Sequence, residues 1–287
     1  MHQISVIIPL YNKESAIRKT IESVLGQKHV DFEIVVVDDG STDSSAEIVK
    51  SIEDSRIKYF YKKNAGVSAA RNSGVQIASG NYILFLDADD ILIPDALKLL
   101  YDNAINNHAD ISNANHIRID EDGSKVLFSG QYTNGIVHNP YKAEFYKRLI
   151  ISPGATLIKK SFLQNFPYRE NLSRYEDLEI SLRMYQKARI VCTSKPTMMY
   201  RRIYSRQSHV TSKHESDYIF SMDFDKYPFW GKMLMGKHLL EGIDWAYPQH
   251  AALLRSKYAK FIIYYHLAKV YWLYSVIRNK LFKAFSR

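Results

Sequence analysis

The sequence predicts an α/β fold: a doubly wound, mainly parallel sheet with a C-terminal helical extension. Three observations carry it. Short β-branched runs at 4–8 and 33–37 are bounded by turn or charged residues, as buried parallel strands are. Further runs at 57–61, 82–86 and 110–114 alternate with helical patterns near 14–26, 43–53, 66–78 and 94–107. From 216 onward the pattern is mainly helical.

Each element has a local reason. Pro9 and Asn12 end the first strand in a turn, and Ser41, Thr42, Asp43 and Pro94 are helix-start signals. From about 120 to 215 the pattern loosens into short strands near 126–133 and 156–159, a helix over 176–188 and an extended segment at 196–201. No repeat or linker interrupts the chain. The reading is a catalytic unit over 1–215, divided into halves 1–115 and 116–215, with a basic, aromatic extension over 216–287. In such sheets ligands bind beyond the carboxyl ends of the strands, so the loops after strands one, two and four are the place for a site.

Composition removes several classes. Hydrophobic residues make up 46% of the 287 and charged residues 24%, so a packed core is expected. The single cysteine, Cys192, excludes an internal disulfide and a cysteine-built zinc cage, and fits a reducing compartment. The first residues read as a strand, not as a signal peptide, so a cytoplasmic location is expected. Net charge is +9, but residues 255–287 hold eight basic and no acidic residues, which leaves the rest nearly neutral. A protein-wide nucleic-acid surface is therefore not expected.

Four motifs fall in the site loops. In Ile8-Pro9-Leu10-Tyr11-Asn12 the Tyr11 ring stands where it can cover a nucleobase, although a plain strand-ending turn has the same composition. In Asp38-Asp39-Gly40-Ser41-Thr42-Asp43, Asp39 is the functional candidate and Asp43 a helix cap. The run Asn64-Ala65-Gly66 through Ala70-Arg71-Asn72-Ser73-Gly74 offers a planar guanidinium for phosphate or a base, or else a tightly packed helix bearing one arginine. Leu86-Asp87-Ala88-Asp89-Asp90 is the hardest to explain structurally. Carboxylates at close range repel unless a cation lies between them, and Mg²⁺ or Mn²⁺ suits two carboxylates plus phosphate oxygens. Asp90 is a candidate cap for the following helix.

Two later stretches are weaker. Glu176-Asp177 reads equally as an acidic helix start. The basic run 200–209 could line a pyrophosphate, with His209 a candidate metal ligand, though a polar-loop histidine is more often solvated.

In this order, the motifs resemble family 2 glycosyltransferases of the GT-A fold, the nucleotide-diphospho-sugar transferase type, over roughly residues 3–205. The resemblance implies that Pro9, Tyr11, Asn12, Asp39, Asn64, Arg71, Asp87 and Ala88 bind the nucleotide-sugar. It implies that Asp87 and Asp89 hold a divalent cation, Asp89 the more direct ligand, and that Asp177, with Glu176 beside it, is the general base. The implied reaction inverts the anomeric configuration, with a UDP-sugar the commonest donor and GDP- or dTDP-sugars less common. The chain lacks the Gln-x-x-Arg-Trp motif and membrane helices of processive members, so addition of one sugar per encounter is expected. The implied setting is cell-surface polysaccharide or lipopolysaccharide synthesis on a glycan or lipid-linked acceptor, with 152–155 a candidate acceptor rim.

The extension allows two readings. Residues 261–277 are apolar nearly all round, and at 17 residues they fall short of the roughly 20 that span a bilayer. Flanking Lys and Arg with Tyr and Trp suit the inner face of an anionic membrane through 255–287, while an all-round apolar helix also suits packing on the domain or in a dimer. A dehydrogenase or sugar nucleotidyltransferase would need a Gly-rich turn after strand one, where Pro9 to Lys13 stand. A non-catalytic nucleotide-sugar-binding or membrane-associated scaffold relative is the remaining alternative, and the intact acidic motifs argue against it.

Overall fold

In the computed structural model, residues 2–120, 122–128, 134–201, 216–245 and 247–259 are described, with 261–263, 266, 267, 270 and 274 beyond them. One sheet organises the chain. Strands β1 (Ile4–Leu10), β2 (Phe32–Asp38), β3 (Ile57–Tyr61) and β4 (Tyr82–Phe85) lie parallel in the order β3-β2-β1-β4. They are joined by α1 (Ile17–Leu25), α2 (Ser45–Lys50) and α3 (Val67–Ile77). After the short β5 (Ile91–Leu92) and α4 (Ala96–Asn106) come β6 (Ile111–Ile119), β7 (Lys125–Phe128), β8 (Gly135–Val137), β9 (Thr156–Lys159) and β10 (Ile190–Arg201).

The sheet is mixed beyond β4. Strand β9 inserts antiparallel between β4 and β6, β6 and β10 run parallel, and β5, β7 and β8 add antiparallel. The parallel expectation thus describes the N-terminal half. The expected strand at 110–114 continues to Ile119, the extended segment at 196–201 is the end of the twelve-residue β10, and the helix expected over 176–188 is α7 (Glu176–Met184). The short α5 (Pro140–Phe145) and α6 (Lys160–Leu163) had no helical stripe long enough to read. Part of the strand expected at 126–133 lies outside the described residues.

Period-two alternation divides β1 between two cores. Ile4, Val6, Ile8 and Leu10 pack with Ile17, Ile21 and Val24 of α1 and Leu97 and Leu100 of α4. Ile7 faces the other way, toward Ala70 of α3, and Gly74 permits the close approach. A Cβ at Gly74 would stand 2.3 Å from Ile7 Cγ2. That second core continues through α5, α7 and the C-terminal helices α8 (Phe229–Trp245) and α9 (Ala251–Lys257). Phe224 stacks on Phe261 at 4.5 Å, and Leu254, Tyr258 and Phe261 are buried. So the start of the extension packs on the domain, as one of its two readings held. Ile263, Leu267, Val270 and Tyr274 are exposed, and no helix among the described residues is long and apolar enough to cross a membrane.

A carboxylate is buried in the middle of the sheet. Glu33 on β2 is fully buried and accepts from Ser5 Oγ (2.6 Å), Ser79 N (2.5 Å) and Lys58 Nζ (2.6 Å). Desolvation raises its pKa, but these donors outweigh it and hold the carboxyl at about 2. Because the folded value lies below the unfolded one, the stabilisation is present above pH ~4.5 and is lost as pH falls toward 2. Glu33→Gln is expected to cost about 3 kcal/mol at pH 7, and less at pH 3, in urea unfolding. An equal loss at both pH values would detach the effect from ionisation.

Candidate active site

The carboxyl ends of β1, β2 and β4 bring three motif loops together. Asn12, in the left-handed region at φ 49°, uses Oδ1 to accept from Thr42 N at 2.8 Å, and its own N donates to Ser41 Oγ. Asp38 accepts from Ser41 N and Tyr59 Oη, closing the β2 turn. Asp39 is buried and accepts from Ala65 N (3.0 Å), Gly66 N (2.7 Å) and Lys62 Nζ (2.9 Å), which fixes the 64–66 loop. Gly66, at φ 92°, begins α3 there, a conformation that favours glycine. Above this frame Tyr11 is 49% exposed, Asn64 is exposed and Pro9 is partly buried. Asp43, expected as a cap, stands one residue before the N-cap Ser44 of α2 and accepts from Ser45 N and Glu14 N, tying the loop after β1 to the start of the helix.

Arg71 is the centre of the arrangement. It lies on the sheet-facing side of α3, 2% exposed, with Tyr168 and Phe85 rings at 5.1 and 6.0 Å from the guanidinium carbon. Its Nη2 donates to Asp87 Oδ1 at 3.1 Å, and its Nη1 to Asp177 Oδ1 at 2.9 Å and Glu176 Oε1 at 3.3 Å. The two acidic motifs, about ninety residues apart in sequence, therefore meet on one fork. Burial opposes the charge on Arg71, but the carboxylates and Tyr168 around it hold its pKa well above the usual value. Its two terminal nitrogens meet carboxylates, and its Nε is buried with no hydrogen-bond partner among the described residues.

The carboxylates differ in surroundings. Asp177 is 38% exposed on the first turn of α7, and both its hydrogen bonds, from Arg71 and from Tyr168 Oη (3.3 Å), fall on Oδ1. Glu176 beside it is pushed up to about 7, first by desolvation and then by the Asp177 charge. Tyr175, at φ 61°, turns the chain into α7. Glu179 belongs to the structure instead: it is buried and paired with Arg183 and Arg169.

At the end of β4, Asp89 Oδ2 accepts from Lys13 Nζ at 2.6 Å. Ala88 is buried, and its carbonyl accepts from Thr20 Oγ1. Asp90 does not cap α4, which begins at Ala96 after Asp95. It accepts from Arg201 N at 3.2 Å, and Arg201 Nε donates to the Asp89 carbonyl, tying the motif to the end of β10. Desolvation raises both Asp87 and Asp90, with like charges adding to it. Each of Asp87 and Asp89 already has a cationic side chain, so this is a place that draws positive charge. Two hard carboxylate donors suit Mg²⁺ or Mn²⁺, which takes one or two carboxylates together with phosphate oxygens. No protein-only cage of three or more His, Cys, Asp or Glu exists among the described residues. His209 lies outside the described residues.

Sequence reasoning missed three supports. Lys13 follows the Tyr11-Asn12 turn, and nothing in its spacing pointed to Asp89. Tyr168 stands in a loop with no periodic signal. Asn72 holds it by donating to Tyr168 O and accepting from Tyr168 N, both at 2.9 Å, and it also donates to Glu170. Ser152–Ala155, the candidate rim, turns at Gly154 (φ 76°), whose N donates to Phe85 O.

Removing the fork leaves three carboxylates without their common partner. Arg71→Met is expected to cost about 3 kcal/mol in urea unfolding, with Arg71→Lys intermediate because it keeps charge but loses the fork. Wild-type stability in Arg71→Met would reject the tether.

The glycosyl transferase family 2 model matches residues 5–166. Glycosyltransferase GlyA of Streptococcus pneumoniae serotype 4 is 51% identical over 71 residues, 24% of this chain and 10% of that protein. The validoxylamine A glucosyltransferase of Streptomyces hygroscopicus subsp. limoneus is 43% identical over 70 residues, 23% of this chain and 16% of that protein. The chain thus aligns with only a small part of the length of these curated relatives. The crystal structure of S. aureus TarS 1–349 in complex with UDP-GlcNAc shares the fold, with a TM-score of 0.71 and 23% identity over 88% of this chain and 75% of that one. With strands, acidic loops and family model in agreement, the chain belongs to glycosyl transferase family 2.

Proposed function

We propose that the chain transfers one sugar per encounter from a UDP-sugar to an acceptor hydroxyl, with inversion, and that Asp177 is the general base. The observation that carries this is the single Arg71 fork shared by Asp87 and Asp177, which puts a donor-side carboxylate next to a candidate base. In this reading Tyr11 covers the nucleobase, with Pro9, Asn12 and Asn64 around it. Asp39 fixes the loop that frames the base and keeps acceptor capacity on Oδ2 for a base N–H. Ala88, whose side chain is in the core, would meet the sugar or diphosphate only through its backbone.

Asp87 and Asp89 would hold a divalent cation, Mn²⁺ or Mg²⁺. Such an ion supplies positive charge to the departing diphosphate. Asp177 takes the proton of the attacking hydroxyl, oriented by Arg71 and Tyr168 on Oδ1, while Glu176 restrains the same fork. Inversion follows from a base on the face of the sugar opposite the leaving group, as in inverting glycosidases with an acceptor hydroxyl in place of water. The catalytic part is 1–215, with the nucleotide-sugar half ending at 115.

For the acceptor, we favour a glycan or lipid-linked molecule at the inner face of a cell membrane, as in polysaccharide or lipopolysaccharide synthesis. The exposed Ile263, Leu267, Val270 and Tyr274, together with the eight basic residues of 255–287, support peripheral attachment to anionic lipid. Truncation is a poor test because Tyr258 and Phe261 belong to the core. Replacing Ile263 and Leu267 with Asp is expected to release the protein from phosphatidylglycerol vesicles in sedimentation. A wild-type chain that ignores these vesicles rejects the attachment.

Two measurements test the chemistry. Asp177→Asn is expected to lower transfer by roughly 10²–10⁴-fold with UDP affinity unchanged. Normal turnover would remove Asp177 from the mechanism. In calorimetry against UDP-, GDP- and dTDP-sugars, metal-dependent binding of one nucleotide class, lost in Asp89→Ala, is the expected result. A folded protein that binds none of them would turn the reading toward a non-catalytic relative.

A further inference from the structure

Where α5 meets α8, a row of rings comes to the surface. Phe229, the first residue of α8, is 51% exposed, and its ring stands 5.8 Å from that of Trp230. Trp230 lies 6.1 Å from Phe145 and 6.0 Å from Tyr146, and those two rings are 5.2 Å apart. Phe145 is buried, while Trp230 and Tyr146 are half-buried. Cations lie over these rings. Lys142 Nζ is 5.0 Å from the Trp230 centroid, Lys237 Nζ 5.7 Å from Phe145, and the Arg148 guanidinium carbon 5.9 Å from Tyr146. Lys147 is exposed beside them. The acids nearby are engaged elsewhere or stand at the rim. Glu144 accepts from Tyr185 Oη and pairs with His238, Glu241 borders His238, and Asp225 pairs with Lys232 at 3.7 Å.

Half-wet rings with Lys and Arg over them make the composition of a protein face seated among lipid headgroups. The extension leaves the domain nearby. Phe261 stacks on Phe224 at 4.5 Å, and from Phe224 to Phe229 the chain spans at most about 18 Å. We infer that the rings and cations of α5 and α8 form a second membrane contact, which fixes how the folded domain stands on an anionic bilayer. The inference rests on the membrane-attached reading of the extension. A tail alone tethers the domain but leaves it free to turn. A contact built on two packed helices is rigid with the domain, so tail and patch together hold the cleft in one attitude to the lipid. An acidic polymer would satisfy the cations and leave Phe229 in water, whereas a headgroup layer takes both.

The test uses the full chain with Trp245→Phe and Trp272→Phe, which leaves Trp230 as its one tryptophan. Phosphatidylglycerol vesicles with brominated acyl chains are expected to sediment this protein and to quench Trp230 emission. Adding Lys147→Gln and Arg148→Gln is expected to weaken partitioning about 25-fold, about fivefold for each basic residue near an anionic surface, with an unchanged thermal midpoint. Unchanged partitioning in that variant overturns the contact. Sedimentation without quenching means that the tail binds alone, so the second contact fails while the attachment stands. A chain that does not sediment rejects the attachment and this contact with it. Binding to poly-glutamate without quenching by lipid assigns the patch to an acidic polymer and overturns the inference.

Discussion

A buried guanidinium cannot stay charged in an apolar layer unless carboxylates surround it, and that constraint shapes this protein. Arg71 sits under α3 against the rings of Phe85 and Tyr168, and its charge is met by Asp87 from the end of β4 and by Glu176 and Asp177 from α7. The parallel half of the sheet provides the arginine and the first carboxylate, and the later half provides the others. The two halves therefore register on one another through charge as well as through apolar packing. Desolvation makes any misfit costly, so the relative position of the acidic motifs is tightly set.

The sheet distributes its burial to serve this centre. One face of β1 and β2 packs on α1 and α4 mainly with aliphatic side chains, Phe32 at the start of β2 among them. The other face packs on α3 and then continues through aromatic residues into the C-terminal helices, where Tyr141, Tyr218, Phe224, Tyr247 and Phe261 are buried. The site lies along the edge where this second core meets the strand ends. The extension is thus a continuation of the wall behind α7, at least as far as Phe261.

The N-terminal half was legible because its signals are local. Strand β3 matched the run at 57–61, and β1, β2 and β4 differed from their expected bounds by a residue or two at their ends, since β-branched runs between turn residues are read directly. Beyond residue 110 the physics is long-range. Nothing in Thr156 to Lys159 tells that β9 inserts antiparallel between β4 and β6, because that order is chosen by tertiary packing. For the site, Asp87 and Asp89 were singled out from the repulsion they would suffer, which is a property of sequence spacing, whereas Asp177 stood out only through the family resemblance. Their partners were not: Lys13 lies 76 residues from Asp89, and Tyr168 reaches Asp177 only after the intervening loop has folded. Arg71 was singled out, but its role as a tether required knowing that Asp87 and Asp177 converge on it.

Asn72 adds a last point about how this architecture can vary. Its side-chain amide meets the N–H and C=O of Tyr168 as a neighbouring strand would, though the segment belongs to no strand. One amide thus acts as a detachable rung of sheet, carried on a helix. It clips the loop at Tyr168, and its amide nitrogen also donates to Glu170. The stretch from 169 to the start of α7 has fastenings of its own, Arg169 on Glu179, Leu172 in the core and Ser173 N on Ser216 O, so the phenol beside Asp177 and the helix that carries Asp177 are held in place independently.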